Sequence, residues 1–184
     1  MCANRVIGVL LGVLIGMLPA GAARANSPED ALKLAFTYNI ARFVTWPEHT
    51  DSGDARAFHM CVLGQAPYRI AIDNLGNRRV DNLPIEVINL EADRAEGVHC
   101  DLAYLSADAG DLSVVVKALL PTPVLTVSDA PGFANTGGII ELTRRNDRIA
   151  MRINVAASRR AGLTISSQLL SLATVVSDEL EAGS

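Results

Sequence analysis

Few side chains in this 184-residue chain are of types that do chemistry, and their spacing narrows the possibilities quickly. Ser106 and Ser128 follow two short apolar runs, Leu102–Leu105 and Val124–Val127, at positions where α/β sheets usually bind ligands. Neither lies in G-x-S-x-G, and the nearest carboxylates, Asp108 and Asp129, read as helix-start and turn residues. A receiver-type phosphorylation site needs acids after the first and third strands, where this chain has Gly64-Gln65 and Ser106. Gly137-Gly138 precedes a strand instead of a helix, so it reads as a tight turn and not as a phosphate cradle. No catalytic constellation emerges, and the reading is that of a non-enzyme. Gln65, Ser106, Ser128 and Asp129 remain as candidate lining for a ligand crevice at the strand carboxyl ends.

Cysteine and histidine form the other chemical group. Cys61 and Cys100 are separated by neither C-x-x-C nor zinc-ligand spacing, which favours one structural disulfide over a redox or metal pair. Closing a loop of about 40 residues contributes roughly 4 kcal/mol in the chain-entropy model. His49, His59 and His99 are the only histidines, and the last two stand just before the cysteines. A bridge would bring them close in space, where a metal or pH-sensing role is conceivable. With no carboxylate or histidine at ligand spacing, no metal and no cofactor are expected. Asn39 breaks a local rule, falling between Phe36 and Phe43 near the middle of an apolar stripe. A buried amide must find partners, so it is expected to be an internal structural tie.

Export is written at the amino terminus. Arg5 precedes an apolar run of 13 residues, Val6 to Leu18, and Ala23-Arg24-Ala25 supplies an A-x-A cleavage site. That pattern is a secretory signal peptide over residues 1–25, too short to span a bilayer. A single exported domain over residues 26–184 remains. Without Arg5 and Arg24, 14 basic residues face 20 acidic ones, a net charge of −6. An acidic chain with no basic block is a poor partner for nucleic acid.

The elements that position these groups follow from patterning. Ser27-Pro28-Glu29-Asp30 opens a helix, and Leu32, Phe36, Ile40, Phe43 and Val44 place apolar groups at helical spacing to about Val44, before Pro47. His59–Gly64, Ile85–Leu90, Leu102–Leu105 and Val124–Val127 read as strands, with helices over 67–75 and 108–120. Gly138–Thr143 and Arg148–Asn154 read as an antiparallel hairpin around Asn146, followed by helices near 155–161 and 166–177. The expected fold is a three-layer α/β domain with a mostly parallel, flavodoxin-like (Rossmann-like) sheet and the hairpin at one edge. First and third strands are then neighbours, which makes a Cys61–Cys100 bridge sterically reasonable.

Thr37-Tyr38-Asn39-Ile40-Ala41-Arg42-Phe43-Val44-Thr45-Trp46-Pro47 resembles the opening signature of the YfiR family (DUF4154) of exported bacterial proteins. Cys61–Gly64, Val124–Asp129 with Phe133-Ala134, Gly137–Ile140, Ile153–Ala157, Ala161–Leu163 and Ser166–Ala173 are similar to later stretches of that family. The resemblance covers about Ala31 to Ala173. It implies a periplasmic repressor, homodimeric, that binds the sensor region of an inner-membrane GGDEF-containing diguanylate cyclase and restrains cyclic di-GMP synthesis. Biofilm formation is the output, and an OmpA-like outer-membrane lipoprotein relieves the restraint by sequestering the repressor. Cys61 and Cys100 match the cysteine pair in the family's amino-terminal half. This chain lacks the second pair of some members, so redox control through that bridge does not carry over. The alternative is a periplasmic small-molecule binding protein that uses the crevice at the strand carboxyl ends.

Overall fold

Short apolar runs separated by turns are what a sheet covered on both faces requires, because each strand then buries side chains alternately upward and downward. The computed structural model of the protein describes residues 28–47, 57–64, 75, 78–91, 97–119, 122–146 and 148–177. The leader at 1–25, Gln65 and most of the helix expected at 67–75 lie outside those residues. Helix α1 (Pro28–Ala41) is followed by β1 (Val44–Thr45), β2 (Phe58–Leu63), β3 (Arg79–Val80), β4 (Leu83–Leu90) and β5 (Leu102–Leu105). Next come α2 (Leu112–Leu119), β6 (Leu125–Ser128), a 3-10 turn at Phe133–Asn135, β7 (Ile140–Arg145) and β8 (Arg148–Asn154). The chain closes with α3 (Val155–Arg160), β9 (Thr164–Ile165), α4 (Ser167–Leu170) and β10 (Thr174–Val176).

The main sheet has the order β10-β8-β7-β6-β5-β2-β4-β3. Within it β4, β2, β5, β6 and β7 are mutually parallel, which is the flavodoxin-like order expected from the alternation of strands and helices. The β7–β8 hairpin is antiparallel, with Asn146 in the left-handed region at its turn. β10 adds in parallel beyond β8, so the hairpin lies inside the sheet's border.

Alternation sorts the strands into two cores. Met60, Val62, Leu102, Tyr104, Leu125 and Val127 meet Tyr38, Ile40 and Ala41 of α1 and Ala157 of α3 on one face. Cys61, Leu63, Ala103 and Leu105 meet Val115, Val116 and Leu119 of α2 on the other. Asp111 starts α2, and its carboxyl accepts hydrogen bonds from the Ser113 hydroxyl (2.8 Å) and amide (3.0 Å), which hold its pKa below the usual value.

Three expectations need correction. α1 ends at Ala41, three residues early, and Val44 belongs to β1, paired with Ile165 of β9. α1 also turns a different face inward: Thr37, Tyr38, Ile40 and Ala41 are buried, whereas Leu32 and Phe43 are exposed. Asn39 is therefore exposed and is not an internal tie. Apolar residues occur all round this helix, so spacing alone did not select the buried side. The helix expected at 166–177 is a single turn, after which the β-branched Thr174-Val175-Val176 pairs with Arg152–Asn154 as β10.

Candidate functional site

At the amino ends of the strands, backbone register assembles a polar cluster. His59 stands opposite Glu86 of β4, and Met60 opposite Leu102 of β5, so His59 is level with Asp101. Asp101 is 2% exposed. Its amide donates to the His59 carbonyl (2.9 Å), and its Oδ2 accepts from the His59 amide (2.8 Å). The Asp101 carbonyl accepts from the Leu125 amide (3.0 Å) and from Trp46 Nε1 (3.0 Å). Trp46, held extended before Pro47, packs edge-on against Phe58 with ring centroids 5.3 Å apart.

Around that anchored carboxylate, His59 Nδ1 lies 3.8 Å from Asp101 Oδ2, and His99 Nε2 lies 3.5 Å from Oδ1. His59 Nε2 lies 3.7 Å from Glu86 Oε2, and the two imidazoles meet edge to face at 5.5 Å. The Cys61–Cys100 disulfide closes the cluster, with Cα atoms 5.8 Å apart. The bridge brings His59 and His99 together as the sequence led us to expect. Sequence reasoning missed the carboxylates, Asp101 and Glu86. Asp101 could have been found, since it directly follows Cys100 and any bridge to Cys61 carries it toward His59.

The opposite, carboxyl edge holds the other candidates. Ser128 ends β6 fully buried, with Oγ accepting from the Ala130 amide (3.0 Å), so it is not placed to act as a nucleophile. Ser106 follows β5 and donates its amide to the Leu63 carbonyl (3.0 Å). Gly64 packs so closely that a Cβ there would stand 3.0 Å from both Ala109 Cβ and Asp108 Oδ1, which leaves little room between β2 and β5. Asp129 reaches across to α1, where Lys33 Nζ donates to its Oδ2 at 2.8 Å. Its Oδ1 is buried without a hydrogen bond among the described residues. Ser106, Ser128 and Asp129 thus share the edge predicted for them, whereas Asn39 is remote from burial and Gln65 lies outside the described residues.

A third polar group organises the hairpin. Glu141, 2% exposed, accepts from Arg152 Nη1 (3.1 and 3.0 Å) and from the Ala134 amide (3.2 Å). Arg152 Nη2 also donates to Asn135 Oδ1 (2.6 Å), and Asn154 Nδ2 donates to the Ala134 carbonyl (2.8 Å). Gly138 lies against the buried Phe133 ring, where any Cβ would clash with it. The glycine pair is thus a packing and turn device, with Gly137 at positive φ.

The family model described as YfiR/HmsC-like (DUF4154) matches residues 30–174. The chain belongs to the YfiR/HmsC-like family. Members of that family regulate diguanylate cyclases in the periplasm, as regulators and not as catalysts. This YfiR/HmsC-like chain has no match among curated proteins. Among solved structures it is similar to a conserved domain protein from Vibrio cholerae, with 13% identity and a TM-score of 0.52 over 81% of this chain and 60% of that one. It is also similar to the ABC domain in complex with L-Trp from Streptococcus pneumoniae, at 13% identity and a TM-score of 0.49, over 64% and 55% of the two chains. The chain spans little more than half the length of these structures. The first likeness concerns the α/β fold alone. No helix among the described residues is long and apolar enough to cross a membrane, and the disulfide fits a periplasmic family.

Proposed function

We propose that this protein is an exported periplasmic repressor that binds the periplasmic sensor region of a membrane-bound diguanylate cyclase and restrains cyclic di-GMP synthesis. Family membership over residues 30–174 carries this reading. The amino-terminal export pattern and the disulfide agree with the compartment. The engagement of Ser128 within its own turn agrees with a role by contact and not by catalysis. A homodimer and an OmpA-like outer-membrane lipoprotein that sequesters it belong to the same proposal. Deleting the gene should raise cellular cyclic di-GMP and biofilm, and restoring it should reverse both. An unchanged nucleotide level, together with no cyclase recovered by crosslinking the tagged protein in the periplasm, would overturn the reading.

Asp129 keeps a second reading open. Its buried Oδ1, beside Lys33 at the carboxyl edge, has no hydrogen-bond donor among the described residues. A small molecule with an N–H or O–H would satisfy it. A saturable thermal shift with a periplasmic metabolite, lost in Asp129→Ala, would support that reading, and no shift across a broad screen would reject it.

A further inference from the structure

His59, His99 and Asp101 offer three ligand atoms within 4.8 Å of one another, on elements fixed by the sheet and the disulfide. Two observations argue that this is more than a chance cluster. First, the spacings of 3.5 and 3.8 Å from the imidazole nitrogens to Asp101 are too long for good hydrogen bonds. They are close to the separation of about 3.4 Å between two ligands that each stand about 2.1 Å from a tetrahedral zinc. Second, His59 Nδ1 is buried with no hydrogen-bond partner among the described residues while pointing toward the carboxylate of Asp101, which costs stability unless something else engages it.

We propose that His59 Nδ1, His99 Nε2 and Asp101 form a binding site for a divalent transition metal, zinc above all, at the amino edge of the sheet. Two imidazoles and a carboxylate are a borderline donor set, suited to zinc and poorly suited to calcium or magnesium. Glu86 completes the arrangement from outside. It faces His59 Nε2 at 3.7 Å, the place from which a carboxylate orients a metal-bound imidazole and raises its basicity. The Asp101 backbone is held by β2, β6 and Trp46, so the carboxylate is preorganised. His99 is half exposed, so its ring stands within reach of solvent and of an incoming metal ion. A fourth ligand, such as water, would complete the coordination. The bridge joins positions two residues from His59 and adjacent to both His99 and Asp101, which makes metal affinity dependent on the oxidised pair.

This inference is independent of the repressor reading, and its failure would leave that reading intact. The test is calorimetric titration of the oxidised, chelator-treated protein with zinc chloride, with calcium chloride and magnesium chloride as comparisons. One zinc per chain is expected, with no heat from calcium or magnesium. His99→Ala sits at an exposed position and Asp101→Asn keeps side-chain shape, so both should melt near the parent. Each should weaken zinc at least about tenfold, and Glu86→Gln about tenfold. Edge X-ray absorption of the zinc-loaded protein should show nitrogen and oxygen neighbours and no sulfur. No saturable zinc binding, or affinity unchanged in folded His99→Ala and Asp101→Asn, would overturn the proposal. Sulfur in the zinc shell would overturn it equally.

Discussion

Glu141 receives two hydrogen bonds from Arg152 and one from the Ala134 amide, and it has almost no contact with solvent. Burying a carboxylate costs free energy that the guanidinium and the amide aimed at it offset. Removing the cation is therefore worse than removing the pair. Arg152→Ala should cost about 3 kcal/mol of folding stability, the lower end of the range for a broken buried pair, because Arg152 keeps 31% of its side-chain exposure. The double change Glu141→Leu with Arg152→Met should recover most of that loss. Urea unfolding of the two variants decides the matter. A single variant within about 1 kcal/mol of the parent would mean that water replaces the guanidinium without difficulty.

Pairing between elements makes a different prediction, since the disulfide ties β2 to the residues that lead into β5. Cys61→Ser and Cys100→Ser open the same loop, so each should cost roughly 4 kcal/mol and lower the melting temperature by a similar amount. The oxidised pair should yield no free thiol before denaturation and reduction, and unequal melting of the two single variants would show that one thiol does something more. The elements themselves were unevenly legible in the sequence. Strands β2, β5 and β6 are visible because a run buried on both faces is almost wholly apolar, whereas β4, β7 and β8 mix apolar with polar, partly exposed residues and show through their apolar positions and the turn between β7 and β8. The sequence shows where α1 begins but runs it three residues too far, and of its expected stripe Ile40 is buried while Leu32 is exposed, because Leu32 and Phe36 are as apolar as Tyr38 and Ala41. The pairs β1–β9 and β10–β8 were invisible because two- and three-residue strands carry no period, and only tertiary contact selects them. The cluster at the amino edge was half legible. His59 and His99 announce themselves by type, whereas Asp101 and Glu86 look like ordinary acids until the register is known.

At the scale of the molecule the main sheet ends in very short strands, β3 with two residues and β10 with three. Short edge strands limit the unpaired backbone offered to other chains. β10 matters more than its length implies. It covers Arg152, Ile153 and Asn154 of β8, and those residues carry the Glu141 ion pair, the hydrogen bond to Ala134 and the cap of α3. Ending the chain at Leu170 would uncover that backbone and admit water beside Glu141. The truncated protein should melt well below the parent and associate in a concentration-dependent way, through pairing of the bared β8 edge. Light scattering over a dilution series, alongside thermal melting, makes the comparison. If the truncated chain keeps the parent's melting temperature and its size distribution, β10 is an ornament on the edge, and the hairpin must be stabilised by the Arg152 network alone.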